Sequence, residues 1–159
     1  MNRRQLFSLF GSMLIARPLL ADNAAPSPTR IEPLHLSDAE WKKRLSGAQY
    51  DVLRREGTER SGTSPLNAEK RKGIYQCAGC DLPLFTSDMK YESGTGWPSF
   101  FTTLPGAVMT KTDFKMFLPR TEYHCARCEG HQGHLFDDGP APTGKRYCNN
   151  GVALKFVAA

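Results

Sequence analysis

The cysteines constrain this chain more than any other feature, because four of the five form two Cys-x-x-Cys pairs. Cys77 and Cys80 form the first pair, and Cys125 and Cys128 form the second, with 44 residues between the pairs. The fifth, Cys148, has no cysteine partner. Two Cys-x-x-Cys pairs supply the four thiolates of a tetrahedral structural zinc site. The spacing therefore predicts a fold in which two distant turns meet at one metal ion.

Disulfide bonds are the alternative state of the paired cysteines. A Cys-x-x-Cys pair that closes on itself makes a small, strained and redox-active ring. Two such rings are a poor structural choice in a chain without the βαβ pattern of a thioredoxin-like domain. We therefore predict one structural zinc ion with four cysteine ligands. Because thiolates fill all four coordination positions, we expect no catalysis at the metal.

Length and charge narrow the class of protein. With 159 residues, the chain is long enough for one domain with a hydrophobic core. The net charge is +5, but the first 21 residues contain three arginines and no acid, so the remainder carries only +2. We therefore expect no nucleic-acid binding. Nothing in the sequence requires more than a monomer.

Residues 1–21 have the pattern of a signal peptide. Two arginines give a positive start, residues 6–16 form an apolar run too short to span a bilayer, and Ala21 offers a cleavage position. Residues 2–7 (NRRQLF) also resemble a twin-arginine signal. A general secretory signal and an organelle transit peptide are the alternatives. We predict export to the bacterial periplasm, without stable membrane anchoring.

The next segment predicts a linker followed by helices. Residues 22–35 are assigned to the linker, since Ala, Pro and Ser dominate up to residue 33. Ser37 and Glu40 form a capping-box pattern, which predicts a helix through Leu45. A second short helix is expected over residues 49–56.

The pattern changes to short strands from residue 73 onward. Strands are predicted over residues 73–77, 84–85, 108–118, 121–125 and, most clearly, 146–157. Residues 93–101 predict a loop that leads into a strand. Residues 36–159 are therefore expected to form a mainly β, compact domain of antiparallel sheets, with one or two short N-terminal helices and a structural zinc that holds it together.

Two histidines follow the second cysteine pair closely. His131 and His134 stand three residues apart, in a context of Gly and of Asp-Asp-Gly-Pro that predicts a tight, ordered loop. A His-x-x-His pair by itself is more often solvated or hydrogen-bonded without function. Metal ligation is a further alternative.

The lone cysteine has two interpretations. A single cysteine in a strand is more often a small core residue than a nucleophile. On the predicted strand, however, Arg146, Cys148 and Asn150 share one face. Arg146 would favour the thiolate, and Asn150 would donate a hydrogen bond to whatever the sulfur attacks. We interpret Cys148 as the nucleophile of a covalent mechanism.

Three motifs resemble the type B methionine-R-sulfoxide reductase family. They are residues 94–100 (GTGWPSF), 131–140 (HQGHLFDDGP) and 142–150 (PTGKRYCNN). Both cysteine pairs fall where zinc-binding members carry theirs, and the resemblance spans residues 36–157. It implies the mainly β fold of that family and the reduction of the R epimer of methionine sulfoxide, free or in proteins.

The resemblance also implies a role for each candidate residue. Cys148 would be the nucleophile that attacks the sulfoxide sulfur. Trp97 would be the apolar wall against which the substrate methyl group packs. The residues that would hold and protonate the departing oxygen are His131, His134 and Asn150. The residues that would orient this set are Arg146 and Asp138.

One position departs from many relatives, which carry a resolving cysteine where this chain has Thr95. With four cysteines on zinc, a sulfenic acid on Cys148 would have no internal thiol to react with. The resemblance therefore implies two kinds of partner. Oxidised proteins would be substrates, and a thioredoxin- or glutaredoxin-like protein or a small thiol would be the reductant.

Two readings without catalysis compete with the reductase. A zinc-binding interaction module would keep the four paired cysteines but would have no use for Cys148, Trp97 or the histidines. A basic zinc domain that binds nucleic acid is disfavoured by the small charge of the chain after residue 21 and by the lack of a basic and aromatic stripe.

Overall fold

The computed structural model describes residues 31–115 and 118–159. The predicted signal peptide and most of the predicted linker therefore lie outside the described residues. The helices of the described part are α1 (Asp38–Arg44) and α2 (Gly47–Arg55). Its strands are β1 (Gly73–Cys77), β2 (Pro83–Thr86), β3 (Lys90–Tyr91), β4 (Ser99–Phe100), β5 (Val108–Asp113), β6 (Arg120–Cys125), β7 (His131–Phe136), β8 (Arg146–Asn149) and β9 (Leu154–Ala158).

Both helices begin at a capping box. Ser37 and Glu40 cap α1 as the sequence predicts, and Ser46 and Gln49 cap α2 in the same way. The apolar side chains that these helices bury are Trp41, Leu45, Val52 and Leu53. Neither helix of the described part is long and apolar enough to cross a membrane.

The strands form two antiparallel sheets, which confirms the predicted class. The smaller sheet has the order β2-β1-β9, and the larger has the order β3-β4-β8-β7-β6-β5. Aromatic rings fill the core, where Phe85 stacks on Phe100 with ring centroids 3.9 Å apart and Tyr75 meets Phe100 edge to face at 5.0 Å. Tyr75, Phe85 and Phe100 are fully buried.

The prediction of one strand over residues 146–157 is wrong. Strand β8 ends at Asn149, a 3-10 turn occupies Gly151–Ala153, and β9 then joins the other sheet. A Cβ on Gly151 would overlap the Ser64 hydroxyl, so this turn packs tightly against a distant segment. The chain therefore changes sheets directly after the lone cysteine.

The prediction of a loop at the histidines is also wrong, because they lie on strand β7. On a regular strand, residues three apart point to opposite faces. Here the register with β6 shifts, since Gly133 pairs with Tyr123 while His131 pairs with His124. Gln132 is the extra residue of this β-bulge. The turn that the Asp-Asp-Gly-Pro motif favours comes later, where Gly139 N–H donates to the Gly144 carbonyl.

A buried chain of hydrogen bonds runs from β6 to the first cysteine pair. Tyr123 Oη donates to Asn149 Oδ1 at 2.7 Å, and Asn149 Nδ2 donates to Gln132 Oε1 at 3.3 Å. Gln132 Nε2 in turn lies 3.4 Å from Cys77 Sγ. These four side chains are fully buried. Since a buried polar group costs free energy unless it is paired, the chain fixes β6, β7 and β8 in one register.

The close approach of β7 and β8 generates a prediction. A Cβ on Gly133 would overlap the Cys148 carbonyl oxygen and lie 3.2 Å from Asn149 Cα. We expect G133A to lower the free energy of unfolding by about 3 kcal/mol, measured by urea denaturation. The control is G47A, because nothing lies within 4 Å of a Cβ there. A similarly small change in the free energy of unfolding in both variants would contradict the close packing of β7 against β8.

Candidate active site

The strand register brings the lone cysteine beside one of the predicted histidines. Cys148 on β8 pairs with His134 on β7 and with Ser99 on β4. Directly opposed residues of antiparallel strands share a face, with Cβ atoms about 5 Å apart. Trp97 lies two residues before Ser99, in the loop that the sequence predicts there.

A cavity of about 140 Å³ opens at this point of the sheet. The predicted site residues among its lining are Trp97, His134, Cys148 and Asn150. Most of the lining surface is apolar. Thr58, Arg120 and Phe136 also line it, and the sequence motifs did not single them out. The remaining predicted residues, His131, Arg146 and Asp138, support the cavity from outside its lining.

The Cys148 thiol is half-buried at the cavity wall. Burial raises its pKa above the ordinary cysteine value, while the charge of Arg146 and the hydroxyl of Thr95 act in the opposite direction. Thr95 Oγ1 lies 4.0 Å from Cys148 Sγ. Arg146 thus does favour the thiolate, but burial is the larger effect. The resting side chain is therefore a thiol at neutral pH.

Arg146 is held rigidly beside the cysteine. Its Nε and Nη2 donate to the two Asp138 carboxylate oxygens at 2.7 and 2.9 Å. The guanidinium also stacks over the Phe136 ring, 4.2 Å from the ring centroid. The hydrogen bonds from Arg146 hold the pKa of Asp138 below its usual range. Asp138 therefore holds the Arg146 guanidinium in place.

His134 has a carboxylate partner from a neighbouring part of the sheet. Its Nε2 lies 2.7 Å from Asp113 Oδ2, and the same oxygen accepts a hydrogen bond from Arg120 at 2.7 Å. The Lys115 backbone N–H, His134 and Arg120 together hold the pKa of Asp113 well below its usual range. Burial lowers the pKa of His134, and Asp113 opposes that effect. Asp113 therefore stays ionised and able to support a charged His134.

His131 forms a second pair of the same kind. Its Nδ1 lies 2.7 Å from Glu122 Oε1, and both side chains are almost completely buried. Burial raises the pKa of Glu122, but hydrogen bonds to His124 and His131 outweigh it and bring the pKa to about 2. The His131 and His134 rings meet edge to face, with centroids 5.5 Å apart. The bulge at Gln132 makes this contact possible.

Asn150 and Trp97 are both tied to one segment before the first sheet. Asn150 lies beyond the end of β8, so it is not on a common strand face with Cys148 as expected. Its Nδ2 donates to the Gln132 carbonyl at 3.0 Å, and its Oδ1 accepts from the Glu59 N–H at 3.0 Å. Trp97 Nε1 donates to the Glu59 carbonyl at 3.1 Å.

Sequence reasoning missed the acidic residues that support the site. They are Asp113, Glu122 and Glu59. Each is distant in sequence from the motif that it supports, and no local pattern marks it. Only the pairing register of β5 to β7 and the packing of the segment before β1 reveal them.

The four paired cysteines form a second cluster. Their sulfur atoms all lie within 4.8 Å of one another, and all four side chains are buried. The closest sulfur pairs, Cys77 with Cys128 and Cys80 with Cys125, are 3.6 and 3.5 Å apart. A disulfide bond is only about 2.05 Å long, so these are not disulfides. Four converging thiols fit a metal ion that prefers sulfur ligands.

The two Cys-x-x-Cys turns have the same construction. Asp81 N–H donates to the Cys77 carbonyl, and Glu129 N–H donates to the Cys125 carbonyl, each at 2.9 Å. Asp81 and Glu129 both adopt left-handed backbone conformations, with φ of 62° and 57°. The two turns thus present their cysteines to the shared centre in equivalent ways.

Comparison with known proteins agrees with this geometry. The family model described as the SelR domain matches residues 45–158. Peptide methionine sulfoxide reductase MsrB of Methanosarcina barkeri is 54% identical over 121 residues, which cover 76% of this chain and 85% of that protein. The protein of the same name from Agrobacterium fabrum is 51% identical over 121 residues, covering 76% of this chain and 90% of that protein.

A plant relative matches a longer stretch. Peptide methionine sulfoxide reductase B1, chloroplastic, of Arabidopsis thaliana is 46% identical over 145 residues, which cover 87% of this chain and 72% of that protein. The family match covers well over half of the chain and includes both cysteine pairs and the whole cavity lining. The chain therefore belongs to the SelR-domain family of peptide methionine sulfoxide reductases.

Proposed function

We propose that this protein reduces methionine-R-sulfoxide to methionine, with Cys148 as the nucleophile. The observation that carries the proposal is the position of Cys148 in the lining of a mostly apolar cavity that Trp97 and His134 also line. A sulfoxide has apolar carbon substituents and one strongly polar oxygen on the same sulfur. The lining offers both an apolar ring and polar side chains for these two parts. The names of the relatives support the same substrate.

The reaction transfers the sulfoxide oxygen to the cysteine. Cys148 sulfur attacks the substrate sulfur and forms an S–S bond while the oxygen is protonated. The substrate S–O bond and this S–S bond then break as the oxygen becomes bonded to Cys148 sulfur, which leaves methionine and a sulfenic acid on Cys148. The cysteine sulfur loses two electrons and the substrate sulfur gains them. Because the resting thiol is protonated, its proton has to leave the sulfur and reach the departing oxygen. His134, directly opposite Cys148, is placed to carry it.

Two histidine–carboxylate pairs lie beside this path. Glu122 holds His131 by a hydrogen bond. Asp113 pairs with His134 and opposes the effect of burial, which lowers the pKa of His134. A charged imidazole is a stronger donor to the sulfoxide oxygen than a neutral one. We assign His134 to direct contact with that oxygen, and His131 to support through its ring contact with His134.

The two kinds of lining group would distinguish the epimers. Trp97, His134 and Cys148 all line the cavity. A substrate whose methyl group meets Trp97 and whose oxygen meets His134 exposes its sulfur to Cys148. The opposite epimer exchanges these groups, so its oxygen would lose its donors.

An assay on the two separated epimers tests the proposal. We expect reduction of the R epimer of N-acetyl-methionine sulfoxide in the presence of a small thiol, and no reduction of the S epimer. C148S should lower the rate about a thousandfold or more while its circular dichroism spectrum stays native. A native spectrum of C148S would show that its loss of activity does not come from unfolding. Equal rates on both epimers, or an active C148S variant, would contradict the mechanism.

We further propose that an external thiol regenerates Cys148. Thr95 Oγ1 is 4.0 Å from Cys148 Sγ, so a hydroxyl stands where a resolving thiol would be needed. The other four cysteines are buried in the separate cluster. A sulfenic acid on Cys148 therefore awaits a small thiol or a thioredoxin- or glutaredoxin-like protein.

Single-turnover chemistry tests the recycling step. Without added thiol, wild-type protein should form one methionine per chain and retain a Cys148 sulfenic acid, detected by mass spectrometry after dimedone trapping. T95C should instead form an intramolecular disulfide to Cys148, because the introduced sulfur would lie near it. A disulfide between Cys148 and a clustered cysteine in the wild type would show that recycling is internal.

The clustered cysteines are proposed to hold one zinc ion. Cys77, Cys80, Cys125 and Cys128 would be its ligands, and the all-thiolate donor set suits zinc rather than a hard cation. When bound, the ion neutralises thiolate charge and joins the two turns. It leaves no position for a substrate, so its contribution is to folding.

Matched cysteine variants test the metal proposal. We expect elemental analysis to find one zinc per chain in wild type and in C148S. C80S should lose zinc and much of the stability that the ion supplies, which is on the order of 10 kcal/mol in small zinc domains. Full zinc in C80S, or an unchanged thermal midpoint after removal of zinc, would contradict a structural role.

Export is proposed from the N-terminal sequence. The support is the arginine pair and the apolar run within residues 1–21. The mature protein from its native cell should begin after the predicted cleavage region, and N-terminal sequencing measures this. An intact Met1 on the folded protein would contradict export by a cleaved signal.

A further inference from the structure

We infer that Glu59 is a positioning residue that sets Trp97 and Asn150 around the reacting sulfur. The inference rests on the proposed function, since it concerns the same site. Glu59 lies between α2 and β1, in a stretch that forms neither helix nor strand. It does not line the cavity, so it acts through its neighbours.

The backbone of Glu59 contacts both residues at once. Its N–H donates to Asn150 Oδ1 at 3.0 Å, and its carbonyl accepts from Trp97 Nε1 at 3.1 Å. Trp97 and Asn150 belong to separate parts of the chain, and both line the cavity. A shift of the Glu59 backbone would therefore move two cavity walls together.

The Glu59 carboxylate fixes where that backbone lies. Its two oxygens accept hydrogen bonds from the Gly151 N–H and, at 3.0 Å, from the Val152 N–H. These donors open the 3-10 turn that directly follows β8 and Cys148. Among the described residues, no lysine or arginine forms an ion pair with Glu59. The carboxylate therefore stabilises this turn and does not pair with a cation of the described residues.

Close packing on both sides leaves the segment little freedom. A Cβ on Gly151 would overlap the Ser64 hydroxyl and lie 3.2 Å from Glu59 Oε1. On the other side, Gly62 N–H donates to the Gly96 carbonyl at 2.8 Å, directly before Trp97. Segment 59–64 thus packs between the loop that contains Trp97 and the turn after Cys148.

Two adjacent N–H donors require two acceptors. The carboxylate supplies both, whereas a glutamine would present its NH₂ group to one of the N–H groups. One donor then loses its partner, and a repulsive contact replaces it. We expect E59Q to loosen the Glu59 backbone, and with it Trp97, while the Arg146–Asp138 pair at Cys148 is untouched.

The kinetic test compares E59Q with E56Q on N-acetyl-methionine-R-sulfoxide. The control makes the same change three residues upstream, where Glu56 pairs with Lys111 and Lys115. We expect E59Q to raise KM about tenfold, with a smaller loss of kcat, because substrate placement is disturbed. Alkylation of Cys148 by iodoacetamide should stay within about twofold of wild type. E56Q should match wild type in KM.

A spectroscopic readout separates positioning from a purely structural role and does not depend on activity. The chain has two tryptophans, so the W41F background leaves Trp97 as the only one. We expect acrylamide to quench Trp97 at least about twofold more strongly in W41F/E59Q than in W41F or W41F/E56Q.

The outcomes distinguish this inference from the proposed function. An E59Q variant with unchanged KM and unchanged quenching, or one that lowers only the thermal midpoint, would overturn the positioning role. If wild-type protein reduces neither epimer, the proposed function fails, and the quenching comparison alone decides whether Glu59 positions Trp97.

Discussion

The arrangement of the site depends on one buried glutamine in a β-bulge. Gln132 is the extra residue of β7, and its side chain joins Cys77 of one cysteine pair to Asn149 next to Cys148. Its backbone carbonyl accepts hydrogen bonds from the Asn150 backbone and side chain. The bulge also turns His131 and His134 to the same side of the sheet. A regular strand would separate the two histidines and release Asn150.

Burial raises the pKa of the nucleophile and of the acids around it, but hydrogen bonds keep only the acids charged. Removing Cys148 from water raises its pKa and leaves fewer thiolates at neutral pH. The same removal from water strengthens every hydrogen bond in the cavity. Asp113 and Glu122 nevertheless stay ionised, because Asp113 accepts hydrogen bonds from the Lys115 N–H, His134 and Arg120, and Glu122 pairs with two histidines. The site thus combines a protonated thiol with proton carriers, which suits a reaction that consumes a proton at the departing oxygen.

Local patterns in the sequence predicted the parts of this structure that depend on neighbouring residues. The first capping box, the strand at residues 73–77 and the cysteine cluster follow from spacing alone, and the structure has them. The bulge at Gln132 and the end of β8 at Asn149 were missed, because cross-strand pairing and tertiary packing decide them. The contacts of Asp113 and Glu122 with the histidines were missed for the same reason. The sequence of a strand does not show which histidine a carboxylate on it will contact.

Two of the junctions between the sheets bear on the nucleophile, and they indicate how a metal ion without an open coordination position would matter to catalysis. Cys77 ends β1 of the smaller sheet, and Cys125 ends β6 of the larger, so a shared ion would fix the sheets to each other. The second junction is the turn at Gly151–Ala153, where the chain leaves β8 for β9. Cys148 lies just before that turn, and Gln132 links the next residue, Asn149, to the Cys77 sulfur. Any rotation of one sheet against the other would therefore be transmitted to the nucleophile, and a metal ion held by the cysteine cluster would resist that rotation from the opposite end of the same hydrogen-bonded path.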